Sequence, residues 1–194
     1  PLSMALMEQD EVAKTSMSSS LVRWDAEGFV LDTGEGEVVV LSTDGAELWR
    51  EPGHALAASA STILIAPADA DPERLATVVE LNRSGEEVSV LFDEAVDDEL
   101  ISRTVALSEN TGLVARIDVR QNRTRIALNG STFTGSRIIQ YNDDVEPIGF
   151  TSNDKYLVFE ADGSNDLVFV NWGLGSIHVL SVPDQFGIVG FNLG

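Results

Sequence analysis

Chemistry in this sequence has to be built from carboxylates, because few other reactive groups are offered. Cysteine is absent, which excludes disulfides, thiolate metal sites and a thiol nucleophile. His54 and His178 are the histidines, too few for a His-rich metal centre. Acids number 32 and fall in pairs such as Asp69 and Asp71, Asp93 and Glu94, and Asp143 and Asp144. Among so many, a pair at the separation of a glycoside-cleaving site arises by chance and identifies nothing. One loop, Asp162-Gly163-Ser164-Asn165-Asp166, packs several oxygen ligands together. A Ca²⁺ ion gathers such oxygens at about 2.3–2.6 Å. The loop lacks a terminal bidentate Glu, so it reads first as a solvated hairpin tip and second as a cation site held by Asp162 and Asp166. Phosphate loops, dinucleotide fingerprints, nucleophile elbows and two-His zinc motifs do not occur. No catalytic residue is assigned, no cofactor is expected, and the chain reads as non-catalytic.

The tryptophans are the other residues of interest. Trp49 closes an apolar stretch and reads as a packing residue between repeated units. Trp172 sits in Asn-Trp-Gly-Leu-Gly, a turn signal, where it either anchors a partner or folds over the edge of its sheet. Trp24 is a second candidate partner contact. His178, in Ile177-His178-Val179-Leu180, reads as a structural histidine, and His54 carries little information.

Charge narrows the partners. The formal net charge is -20, and Lys14 and Lys155 are the only lysines. A field of that sign repels phosphate backbones and anionic lipid, so nucleic-acid binding is disfavoured. Either an acidic face attracts a basic protein, or the excess carboxylate keeps the chain soluble in a salty cytoplasm. Few lysines with abundant Ala, Asp, Glu and Arg resemble proteins of salt-loving archaea, and the acids are spread along the chain. No apolar run approaches the roughly 20 residues of a membrane span. The opening residues lack the basic start and apolar stretch of a signal peptide, which places the expectation in the cytoplasm.

Strands must position these residues. Short β-branched runs recur, among them VVVLS from Val38, TILIA from Thr62, VSVLF from Val88 and LVFV from Leu167, separated by Asp-Gly, Ser-Gly and Gly-Leu-Gly turns. Helix signals are confined to Asp71–Thr77 and Asp93–Leu100, each about two turns at most. The strands group into four units: Glu11–Arg50 beginning with a strand at Val12–Met17, then His54–Phe92, Ile101–Tyr141 and Val145–Val182. Either a further strand at Gly187–Asn192 completes the first sheet in place of Val12–Met17, or another chain finishes the ring; the first is preferred. Spacing of about 43 to 47 residues with four strands per unit is what propeller blades produce. Runs such as VVVL and ILIA, apolar at every position, fit sheets covered on both faces. A β-sandwich or a pair of small β domains is the rival architecture, but it requires no fixed period.

Two stretches carry a resemblance. Val38 to Glu51, VVVLSTDGAELWRE, resembles the hairpin of quinoprotein-type propeller repeats. Pro147 to Asn171, PIGFTSNDKYLVFEADGSNDLVFVN, resembles a WD-repeat-like blade. The Gly-His and Trp-Asp signatures are missing, since Trp24-Asp25 precedes a hairpin. The fold expected is therefore all-β and propeller-like, with about four four-stranded blades plus one extra C-terminal strand. Residues 1–20 form an N-terminal arm and residues 21–194 the β domain. The function expected is a scaffold for protein–protein interaction within a larger assembly of a high-salt organism. The alternatives are a carbohydrate-binding or carbohydrate-cleaving propeller with an axial site, and a sensor or structural subunit of a cell-surface complex.

Overall fold

A computed structural model describes residues 20–120, 123–129, 138–141, 145–151, 153–161 and 166–181. All regular structure in these residues is β, in four four-stranded sheets. The first holds β1 (Ser20–Asp25), β2 (Gly28–Asp32), β3 (Glu37–Leu41) and β4 (Glu47–Pro52) in chain order. The second holds β5 (His54–Ala58), β6 (Thr62–Ala66), β7 (Thr77–Asn82) and β8 (Glu87–Asp93), again in order. The third holds β9 (Leu100–Leu107), β10 (Val114–Arg120), β11 (Arg123–Asn129) and β12 (Ile138–Tyr141). The fourth holds β13 (Val145–Phe150), β14 (Tyr156–Ala161), β15 (Asp166–Asn171) and β16 (Ser176–Ser181). Each sheet is thus a meander of consecutive strands.

The hairpins repeat their chemistry. In Ser42–Ala46 the Ser42 N–H donates to the Ala46 carbonyl at 2.8 Å and the Gly45 N–H to the Ser42 carbonyl at 3.0 Å. Asn82–Glu86 makes the same two bonds, from Asn82 to Glu86 at 2.9 Å and from Gly85 to Asn82 at 3.0 Å. Both turns need a residue in the left-handed region, and glycine supplies it, with φ of 85° at Gly45 and 83° at Gly85.

Two compact units divide the chain, one built on residues up to Asp69 with Val79–Ser89, the other on Ala70–Val78 and residues from Val90 onward. The core of the first joins two sheets, with Val30, Val38 and Val40 against Ile63, Ile65 and Leu81. The core of the second packs Ala115, Ile117, Ile126 and Leu128 against Phe150, Leu157, Phe159 and Val168. Central strands are buried along their length, as in β6, whereas the outer strand β4 is mostly exposed. Each fully buried Leu, Ile or Phe contributes about 1.5–3 kcal/mol of transfer free energy.

Three expectations change. Among the described residues the first sheet opens with Ser20–Asp25, a strand not placed from the sequence, and its own segment supplies four strands. The strands expected at Val12–Met17 and Gly187–Asn192 lie outside the described residues. Asp71–Thr77 is not a helix: the Asp71 carboxylate accepts the Glu73 N–H at 3.0 Å, and the Glu73 carbonyl accepts the Arg103 N–H at 2.7 Å. Asp93–Leu100 likewise ends β8 and then turns on Asp97, whose carboxylate accepts the Glu99 and Leu100 N–H groups at 3.1 Å. Asp97 binds backbone donors that a helix over 93–100 would have used, whereas in the earlier segment the Glu73 carbonyl is taken by the Arg103 N–H of β9.

Candidate functional site

Register in the third sheet gathers charge on one face. Arg103 of β9 pairs with Asp118 of β10, and Asp118 pairs with Arg125 of β11. Arg116, two residues before Asp118, shares that face because side chains alternate along a strand. The opposite face carries Ala115, Ile117 and Ile126 into the core. Arg103 and Asp118 are 2% and 1% exposed and meet at 2.8 Å. The Arg103 guanidinium also donates to the Leu75 carbonyl at 3.0 Å. Burying such a pair is costly unless its hydrogen bonds are made, and here several are.

The end of β8 lies over this face. The Phe92 ring has the Arg103 and Arg116 guanidinium groups 5.4 and 5.3 Å from its centroid. Glu94 binds Arg116 at 2.8 Å, and this hydrogen bond holds the Glu94 carboxyl below its ordinary range. A cleft of about 310 Å³ opens here, lined by Phe92, Glu94, Val114, Arg116, Arg125 and Ala127 among others. The Nε atom of Arg125 is buried at this place without a hydrogen-bond partner, as is one carboxylate oxygen of Asp118. A cleft so lined can receive an anion.

The residues singled out from sequence are dispersed. Trp24 lies on β1, 51% exposed, with its ring stacked beside Phe29 at a centroid distance of 6.3 Å. Trp49 lies on β4, partly buried, packs on the core of its unit and donates its indole N–H to the Arg83 carbonyl at 2.8 Å. Trp172 follows β15; it is partly buried against the other core and donates its indole N–H to the Asp154 carbonyl. Asp166 begins β15, and Asp162 lies outside the described residues. Among the described residues no three His, Asp or Glu side chains are placed to hold a metal ion. His54 stands 3.5 Å from the Asp32 carboxylate, and His178 is exposed with its ring edge-on to Tyr156.

No protein-family model and no curated protein matches the sequence. Solved structures do match. A gluconolactonase from Xanthomonas campestris is 14% identical with a TM-score of 0.56, over 86% of this chain and 63% of its own. The WD40 domain of Toxoplasma gondii coronin is 11% identical with a TM-score of 0.55, over 86% of this chain and 46% of its own. The fold is a β-propeller fold. An oligogalacturonate lyase in complex with manganese also matches, at 10% identity and a TM-score of 0.55, over 81% of this chain and 44% of its own. The propeller chain spans less than two-thirds of each of these chains.

These neighbours correct the expectation of a non-catalytic protein. Two of the three are enzymes by name, so the fold gives no ground for excluding catalysis. No helix among the described residues is long and apolar enough to cross a membrane.

The arginine face was missed in the sequence although it left a signal. Five of the ten arginines fall between Arg103 and Arg125, and Arg116-Ile117-Asp118-Val119-Arg120 alternates charged and apolar residues. Alternation of that kind ordinarily marks a solvated outer face.

Proposed function

We propose that this propeller is a protein-interaction module whose partner docks along the outer strand of the fourth sheet. One observation supports the reading. Leu174, Val179 and Leu180 are 79%, 51% and 54% exposed, on β16 and the turn before it. β16 ends its sheet, and among the described residues it pairs with β15 alone and no strand lies along its outer edge. Residues 167 to 182 contain no charged side chain, in a sequence that is 23% charged. An uncharged, apolar, open strand edge is a template for a partner strand, which gains main-chain hydrogen bonds and side-chain pockets together. Trp24 is a further anchor on the first sheet. Membership of a larger assembly, in a cytoplasm of high salt, is consistent with the net charge of -20.

The test is affinity purification of the tagged chain from its own source cells in molar KCl, beside a variant carrying Leu174→Glu and Val179→Glu. A stoichiometric protein held by the wild type and lost from an equally stable variant is expected. A partner held equally by both would place the contact elsewhere, and a chain purified without a stoichiometric protein would overturn the module itself.

A further inference from the structure

We propose that the cleft at Arg116 and Arg125 binds a small monocarboxylate with an apolar body. Arg125 is the observation that carries this. Among the described residues Arg23, Arg50, Arg83, Arg103, Arg116 and Arg120 each take part in an ion pair with a carboxylate. Arg125 takes part in none of them, although it lines a cleft and its Nε is buried without a hydrogen-bond partner. In a protein of 32 acids and 12 basic residues, a guanidinium at a cleft wall that makes no direct ion pair and meets the Glu94 charge only at longer range needs an explanation. Desolvating part of a charged group without a direct partner is costly, and a carboxylate arriving at the guanidinium offsets that cost with a charge-assisted bond.

Local charge chooses the class of anion. Arg103, Arg116 and Arg125 bring three positive charges, and Glu94 and Asp118 bring two negative ones. A monoanion balances this set, whereas a phosphate dianion would add a further negative charge to a strongly acidic molecule. Geometry agrees, since a guanidinium fork matches the plane of a carboxylate. Leu91, Val114 and Ala127 supply apolar wall, which favours a ligand with a hydrocarbon body over acetate or a bare inorganic ion. The volume of about 310 Å³ lies at the small end of ligand sites and suits a short-chain acid. Phe92, against the guanidinium groups of Arg103 and Arg116, holds the cationic wall in place.

Isothermal titration of the full chain with hexanoate, and separately with inorganic phosphate and with a Glu-rich peptide, tests the proposal. Saturable one-to-one hexanoate binding is expected, unchanged in Arg50→Gln at the exposed face of β4 and weakened about tenfold or more in Arg125→Gln. Ala127→Leu keeps every charge and fills the cleft, so it also loses hexanoate, and it carries the test if Arg125→Gln does not fold. Absence of saturable hexanoate binding overturns the proposal. So does tighter binding of phosphate or the peptide than of hexanoate, or an Arg125→Gln variant that binds hexanoate like the wild type.

Discussion

At Asp118 a buried carboxylate sits between arginines from two strands and accepts the Arg103 Nε–H at 2.8 Å, while Arg116 stands 3.6 Å away. Removing it leaves buried Arg103 with only the half-exposed Glu94 carboxylate, 3.8 Å away, as counter-charge, so Asp118→Ala is expected to lower unfolding free energy by about 3 kcal/mol in denaturant melts. Replacing Arg103 and Asp118 together by Met and Leu is expected to cost much less, because no orphaned charge remains. Glu94 gives the pH dependence at this scale. Its hydrogen bond from Arg116 lowers its pKa from the ordinary 4.5, so the stability it contributes is present above that value and is lost as pH falls through the lower folded value. The difference in melting temperature between wild type and Glu94→Gln is therefore expected to be constant near neutrality and to shrink progressively as pH falls below 4.5. A difference that persists in acid would mean that the Arg116 contact does not set the effect. Trp49, which ends an apolar hairpin in the sequence, lies partly buried against the core of its unit. The arginine cluster was not legible, because its burial depends on Asp118 pairing with residues on two other strands, which no local window contains.

Elements were read more reliably than residues. Runs apolar at every position marked the central strands, since a strand covered on both faces has no polar side. His54 and Tyr141 bound strands in the structure as they bounded units in the sequence. The strand β1, Ser20-Leu21-Val22-Arg23-Trp24-Asp25, was not read from the sequence because it is largely exposed and lacks an apolar run. The short helices failed for a different reason: acidic side chains at Asp71 and Asp97 capture nearby N–H groups and turn the chain. The repeated hairpin supplies a prediction. Gly85 has φ of 83°, and a Cβ there would stand 3.1 Å from a carbon of the Trp49 indole. Gly85→Ala is expected to destabilise by about 1–3 kcal/mol through backbone conformation, with additional crowding of the ring. Gly112, with φ of 62° and nothing near its missing Cβ, is the control in which the backbone cost acts alone. Equal losses at the two glycines, measured by chemical denaturation, would show that the indole yields freely.

For the whole molecule the dominant quantity is charge. A net charge of -20 on 194 residues repels itself, and the repulsion reaches across the surface when counter-ions are dilute. At 1 M salt the Debye length falls to about 3 Å and most of that repulsion disappears. The melting midpoint is expected to rise substantially between low and molar KCl, and equal midpoints would remove the case for adaptation to salt. Composition made this legible without any structure, whereas the division of the chain into two units was not, because residues 79–89 return to the first unit after residues 70–78 have joined the second. The two tethered indoles give that division an optical consequence. Trp49 is bonded to the Arg83 carbonyl in one unit and Trp172 to the Asp154 carbonyl in the other, while Trp24 is half exposed. With Trp24 replaced by Phe, emission from a chain retaining only Trp49 follows one unit, and emission from a chain retaining only Trp172 follows the other. The molecule thus carries its own pair of fluorescent clocks, able to time the loosening of each half without any added dye.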